Sequence, residues 1–298
     1  MTGEYRYIAD ASGVRLDVFV AASCPGLSRS HARQLINGGF ITVNDKNLKA
    51  GHKLDAGDVV VVSIPPEPPP TLAPEPIPLD IVYEDADLLV IDKPAGLAVH
   101  PAPGHPDHTL VNAILAYLPG LADGDDSLRP GIVHRLDKDT SGLILVAKNR
   151  VAQANLSAQF KSRSVKKSYL VLVKGRLTPR DGIIEAAIGR DPRNRQRMAV
   201  VSRGREARTE YHVVRYVGGC TLLEIHPETG RTHQIRVHLA AIGFPVMGDA
   251  TYGVKSTKLS RQFLHASKLG FKLSSTGKYV EFESPLPPDL SRALKEIG

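Results

Sequence analysis

The sequence predicts an α+β protein of two unequal domains, and three observations predict it. Eight prolines fall between residues 65 and 78; each lacks an amide donor and fixes its own φ, so neither a helix interior nor a central strand can pass through. Residues 65–78 therefore read as a semi-rigid, extended linker that holds two domains apart while their orientation varies. Before it, residues 14–64 carry a pattern of helix, helix and small sheet; after it, residues 79–298 mix strand alternation with amphipathic helical stretches. A chain of 298 residues, 42% hydrophobic, is long enough for one large core and one small one.

In the first domain Ser28 stands at the N-cap of a helix over residues 29–37, with Gly38 near its end and Ala32, Leu35 and Ile36 as its apolar stripe. Arg29 and Arg33 are four apart and project together, a spacing that most often marks an ordinary solvated face. Residues 40–43 and 59–62 read as strands flanking a turn at 44–47. In the second domain residues 81–85 and 88–94 read as a hairpin of partly buried strands ending at Pro94. Residues 100–105 form an irregular loop in which His100 serves packing or hydrogen bonding. Residues 109–118 are helical, with Leu110, Ala113, Ile114 and Tyr117 on one side. Asn149 caps a helix to about Phe160, and residues 167–173 return to strand alternation with Tyr169 on the face of Val171 and Val173. Residues 222–226 read as a strand, 227–230 as a turn, and 232–242 as a helix ending at Gly243, buried along Ile235, Leu239 and Ile242.

Several classes drop out on composition. No apolar run approaches the roughly 20 residues of a membrane helix, and Met1 to Tyr5 lack a basic patch followed by an apolar stretch. The two cysteines, Cys24 and Cys220, are far apart and lack metal-ligand spacing. A soluble, monomeric, cytoplasmic protein without membrane contact is expected. His226, His233 and His238 come without a His-Glu-x-x-His pattern or cysteines at ligand spacing, so no metal site is expected. No glycine-rich phosphate cradle ending in Gly-Lys-Ser/Thr is present either. The formal charge of +7 implies a polyanionic partner. Residues 161–208 hold 14 lysines and arginines against 4 acids, a local surplus larger than that of the whole chain. Within it, residues 189–197 and 203–205 have loop composition, with Arg193, Arg195 and Arg197 as candidate phosphate contacts or simply a wet surface.

Residues 134–142, His-Arg-Leu-Asp-Lys-Asp-Thr-Ser-Gly, concentrate arginine, carboxylates and hydroxyls between apolar runs at 131–133 and 143–147. Both runs read as buried strands, so the polar segment is a loop or tight turn on a rigid edge. Asp137, Asp139, Thr140 and Ser141 are common turn residues that satisfy backbone groups. Turn chemistry has no need of Arg135 two positions before Asp137.

The segment His134-Arg135-Leu136-Asp137 with Thr140-Ser141-Gly142 resembles the active-site signature of the RluA family of RNA pseudouridine synthases. Lys166-Lys167-Ser168-Tyr169 and residues 230–238 resemble that family's second and third motifs, and residues 94–102 resemble the branch of it that modifies the large ribosomal particle, synthase type D. Arg15-Leu16-Asp17, residues 28–33, residues 41–44 and Gly57-Asp58 resemble an S4-type RNA-binding domain over about residues 14–64. The resemblance implies a catalytic domain around a mixed, mostly antiparallel sheet and no cofactor. The implied substrate is a stem-loop of 23S ribosomal RNA, free or in a pre-50S particle. It also implies residue roles: Asp137 as catalytic carboxylate paired with Arg236, Tyr169 packing against the target base and able to take part in a proton transfer, and Arg135 entering the vacated base stack. Arg29 and Arg33, with Ser30 a weaker candidate, would dock on RNA backbone. Asp139, the alternative carboxylate, falls outside the catalytic position.

Uridine isomerisation breaks the bond between sugar and base nitrogen, turns the uracil and rejoins it through carbon. A carboxylate serves at the sugar carbon as nucleophile or at a neighbouring proton as base. An arginine keeps that carboxylate ionised and aimed, and the stacked nucleotide must first be extruded at a cost of about a few kcal/mol. Two rivals are a non-catalytic RNA-binding or ribosome-assembly factor, which does not need Asp137, and a nucleoside hydrolase, which releases free uracil.

Overall fold

A computed structural model describes residues 3–24, 27–65, 72–101, 106–123, 130–254 and 256–298. The linker residues 66–71 and loop residues 102–105 lie outside that set. The chain divides into two units, Met1–Pro70 and Thr71–Gly298.

The first unit runs β1 (Gly3–Ile8), α1 (Leu16–Ser23), α2 (Arg29–Asn37), β2 (Ile41–Val43) and β3 (Val59–Ile64). The sheet order is β1-β3-β2, all antiparallel. Ser28 caps α2 as expected, accepting from His31 N at 3.2 Å, and Ala32, Leu35 and Ile36 are buried against Leu16, Val20 and the sheet. β1 is an addition to the sequence reading. Its alternating Tyr5 and Tyr7 pack on this core while the residues between face outward.

The second unit continues with β4 (Ile81–Glu84), β5 (Leu88–Lys93), α3 (Leu110–Tyr117), β6 (Ser141–Ala147), α4 (Arg150–Lys161), β7 (Lys166–Lys174) and β8 (Asp181–Glu185). It then runs β9 (Ile188–Arg190), β10 (Met198–Val200), β11 (Arg208–Val217), β12 (Cys220–Pro227), α5 (Gln234–Ala241), β13 (Leu264–Lys272), β14 (Tyr279–Glu283) and α6 (Pro288–Ile297). The main sheet has the order β4-β5-β6-β13-β7-β12-β11-β8, with β14 also on β13. Every pairing in it is antiparallel except β6 with β13, which is parallel over two residues only. The sheet is thus mixed and mostly antiparallel, as the family resemblance implies.

Both faces of this sheet are covered, which explains why β6 is a continuous apolar run buried along its whole length rather than an alternating one. On one face Ile144, Val146, Val171 and Ile225 meet Leu110 and Ile114 of α3 and Ile235 and Leu239 of α5. On the other, Leu143 and Leu145 meet Ala152 and Leu156 of α4, and Leu172 and Leu222 meet Leu290 and Leu294 of α6.

Four local expectations are corrected. Residues 131–133 form no strand: Gly131 has φ +70 and the chain turns there, leaving a single bridge from Ile132 to Val146. Tyr117 is 46% exposed because its hydroxyl reaches outward to donate to Glu84 at 2.7 Å. Ile242 follows the last turn of α5 and is exposed too. The segment 188–200 is a hairpin, β9 with β10, rather than loop throughout. The distal part of the linker is tied to the second unit: Asn112 Nδ2 donates to Ala73 O at 2.7 Å, and Glu75 Oε1 accepts from His108 N at 2.7 Å.

Candidate active site

Asp137 sits on a loop that enters β6, and two buried cations pin that loop through its backbone. Lys93, wholly buried at the end of β5, donates to Pro94 O, Leu97 O and Lys138 O at 2.7, 2.9 and 3.1 Å. Three acceptors match the three N–H groups of an ammonium, while burial lowers the Lys93 pKa to about 7 against the pull of the nearby Asp139. From the other side Arg261 donates to Asp139 O at 3.1 Å and to Ser141 Oγ at 3.1 Å, itself held by Asp289. Leu136 is buried between two polar neighbours and fastens the loop to the core. At Gly142, φ +109, an added Cβ would collide with the Ala266 carbonyl, so only glycine lets β6 approach β13 there.

The expected pair between Asp137 and Arg236 is formed. Arg236 NH1 donates to Asp137 Oδ2 at 2.9 Å, while its Nε and NH2 donate to the two oxygens of Asp249 at 2.7 and 2.9 Å. Asp249 also accepts from Thr251 N and Tyr252 N at 2.8 and 3.1 Å. Burial opposes the charge on Arg236, whose side chain is 7% exposed, but the Asp249 hydrogen bonds and the Asp137 charge outweigh it and raise its pKa. Burial likewise opposes the Asp249 carboxylate, and Arg236 more than compensates, lowering its pKa. One guanidinium therefore spans a wholly buried acid and Asp137, which is 17% exposed. His233, in the left-handed region at φ 56, places Nε2 4.0 Å from Asp137 and Nδ1 2.9 Å from the Tyr252 hydroxyl; burial lowers its pKa.

Asp137 and Arg236 open onto a cavity of about 480 Å³ that Arg135, Tyr169 and His233 also line. Arg135 is exposed. Burial, with the Asp137 charge behind it, raises the Tyr169 pKa, so the hydroxyl keeps its proton at neutral pH. Asp139 is not brought to Arg236; its carbonyl serves Arg261. The sequence reading gave no role in the site to Asp249, Tyr252, His233 or Lys93. His233 lay in the resembled third motif at 230–238, and Asp249 and Tyr252 lay in a glycine-bracketed segment at 248–253 to which the family resemblance also extends.

His134 is a half-buried neutral ring. Its Nε2 accepts from Leu145 N at 2.9 Å and the ring stacks on Phe160 at 4.6 Å. Burial, then the Lys167 charge, lowers its pKa to about 3. An unfolded histidine titrates near 6.5, so between those values the unfolded chain holds the extra proton. His134 contributes stability above about pH 6.5 that is lost as pH falls toward 3. We expect the wild-type Tm to fall more steeply between pH 6.5 and 4 than that of His134→Gln, which keeps an acceptor for Leu145. Parallel Tm curves would remove this role.

In the first unit α1 carries Asp17, wholly buried, to which Arg15 Nε lies at 3.0 Å, Arg29 Nε at 3.1 Å and Arg33 Nε at 4.0 Å. Hydrogen bonds from Arg15, and then from Arg29, outweigh burial and hold its pKa at about 2. All three arginine side chains remain substantially exposed, as is Ser30. In the second unit Arg193 and Arg195 are exposed between β9 and β10, whereas Arg197 folds back 5.0 Å over the Tyr252 ring.

An S4-like helix bearing exposed arginines in the first unit, and in the second a cavity built on a carboxylate-arginine pair, are features of an RNA-modifying enzyme. The family model for RNA pseudouridylate synthase matches residues 87–241, and that for the S4 domain matches residues 14–60. The chain belongs to the RNA pseudouridylate synthase family and is an isomerase with an N-terminal S4 domain. It is 46% identical over 285 residues to the RNA pseudouridine synthase YlyB of Bacillus subtilis, covering 95% of this chain and 94% of that one. It is 41% identical over 299 residues to the ribosomal large subunit pseudouridine synthase D of Zymomonas mobilis, covering 96% and 94%. Among solved structures, human RNA pseudouridylate synthase domain containing 1 superposes with a TM-score of 0.60 at 31% identity, over 72% of this chain and 87% of that one. No helix among the described residues is long and apolar enough to cross a membrane.

Proposed function

We propose that this enzyme isomerises specific uridines of 23S ribosomal RNA, presented in a stem-loop or an assembling 50S particle, with Asp137 as the catalytic carboxylate. The observation that carries the chemistry is Asp137 at the cavity wall, hydrogen-bonded by Arg236 and beside the ring of Tyr169. The ribosomal substrate rests on the name of the Zymomonas relative and on the basic surplus at 161–208.

The target nucleotide leaves its stack and enters the cavity; Arg135, exposed at the wall, fills the gap it leaves. Asp137 then attacks C1′ or removes the C2′ proton, and either route releases uracil through N1 with the bonding pair. The base stays, held against Tyr169, and turns so that C5 faces C1′. A bond from C5 to C1′ forms as the Asp137 ester bond to C1′ breaks on the first route, or as Asp137 returns the proton to C2′ on the second; the C5 proton then leaves and N1 gains a proton. Tyr169, protonated at neutral pH, contacts the base as a ring and a hydrogen-bond donor rather than as a base. Arg29, Ser30 and Arg33 of the S4 unit and Arg193, Arg195 and Arg197 of the β9–β10 hairpin contact phosphates. Such contacts add affinity without sequence readout.

Mapping pseudouridine in ribosomal RNA from cells with and without the gene tests the substrate. Particular 23S positions should revert to uridine on deletion and return on complementation. Unchanged 23S RNA, or a loss confined to another RNA, defeats the ribosomal assignment. Free uracil released by the purified protein makes it a hydrolase.

A further inference from the structure

Beyond Asp137, Tyr169 and Arg236, the cavity has a strongly cationic side that neither the mechanism above nor its residues use. Arg163 follows the end of α4, Lys167 lies on β7, and Arg231 lies in the turn before α5; all three line the cavity. Lys167 stands two residues before Tyr169 and so on the same face of β7, about 7 Å along the strand. Among the described residues neither the Lys167 ammonium nor the Arg163 guanidinium has a hydrogen-bond or ion-pair partner.

Arg163 and Arg231 are held where they disfavour one another. The Arg231 guanidinium is destabilised by burial and then by the charges of Arg205 and Arg163, against a weaker pull from Glu206. Glu228, also at the cavity, is taken by Arg208. Burial without a counter-ion lowers Lys167 to about 8. Arg163 adds an independent sign: its φ is 59, at the residue after a helix end where glycine is the usual occupant. A non-glycine residue kept in that conformation points from strain to function, and here the side chain it retains is a cation aimed at the cavity.

We propose that Arg163, Lys167 and Arg231 form a seat for a backbone phosphate of the RNA strand beside the uridine that enters the cavity. The proposal rests on the RNA-isomerising reading and deepens it. A phosphodiester accompanies every uridine that enters, and guanidinium forks match its oxygens. Its charge relieves the repulsion between Arg163 and Arg231 and supplies the counter-ion that Lys167 lacks.

The test uses the full-length protein in the Asp137→Asn background, so that binding is read apart from chemistry. The probe is a 23S stem-loop transcript carrying the mapped uridine. Arg163→Gly relieves the backbone and should melt no lower than its parent, yet bind RNA about 5- to 10-fold more weakly. Its plot of log affinity against log salt should lose about one unit of slope. Lys167→Gln should do the same, and Lys167→Arg should restore the slope. A neutral methylphosphonate linkage beside the uridine should weaken the parent several-fold and Lys167→Gln hardly at all. Parental affinity and slope in both Arg163→Gly and Lys167→Gln overturn the seat, as do equal methylphosphonate losses in the two proteins. A wild-type protein that makes no pseudouridine in any transcript defeats the catalytic reading instead, and leaves these binding results to decide the seat on their own.

Discussion

The Asp137→Asn protein is expected to bind RNA and make no pseudouridine. The amide is isosteric with the carboxylate and still accepts from Arg236, so the loop keeps its shape: Lys93 and Arg261 hold it through backbone carbonyls rather than through the Asp137 side chain. What is lost is the negative oxygen, and with it both the nucleophile and the base. Removing a group of this kind costs about 10⁴-fold or more in kcat. Release of tritium from C5-labelled uridine measures turnover, and filter binding should show a Kd within about threefold of wild type. Asp139→Asn, whose carboxylate stands outside the pair, should keep most of its activity. Full turnover by Asp137→Asn would falsify the assignment.

Arg236→Met is expected to cost stability as well as activity. Its guanidinium makes three hydrogen bonds to two acids, and Asp249 has no exposure through which water could replace them. Breaking a buried pair from one side leaves an uncompensated charge, at about 3–5 kcal/mol. In a unit of this size that corresponds to a Tm lower by about 6–20 °C. Arg236→Met combined with Asp249→Leu should recover much of the Tm and none of the turnover, because Asp137 remains without its donor. Since Asp249 is stabilised as the ionised form, its contribution is present above the unfolded carboxylate pKa near 4 and is lost as pH falls through its depressed folded value. A Tm for Arg236→Met within about 2 °C of wild type rules out this account of the cluster.

Much of this arrangement was legible in the residues. A polar nonapeptide between apolar runs marked the loop, and cap residues at Ser28 and Asn149 placed two helices. What the sequence could not supply was which distant group meets which. Asp17 reads as one more polar residue of α1, yet it is the buried acid that gathers Arg15, Arg29 and Arg33, so a pair read as a wet helix face is oriented from beneath. Lys93 reads as the last residue of a strand, and only the fold shows its ammonium sealed among carbonyls. Asp249 lies 112 positions beyond Asp137, and its bearing on the site depends on α5 bringing Arg236 between them. Tyr117 and Ile242 fit an apolar period but fall at helix ends, where period alone does not say whether the neighbouring layer extends that far.

Gly142 gives the motif a second kind of intolerance. Its place follows from the brief parallel pairing of β6 with β13, after which β14 takes the adjoining position on β13. Two letters of one signature are thus constrained by unrelated demands, one by reactivity and the other by the absence of room. A genetic screen for inactive alleles would return both, and the conservation pressure on them would look alike. Only the folded fraction of each mutant separates an enzyme that has lost its reagent from one that can no longer bring two strands together.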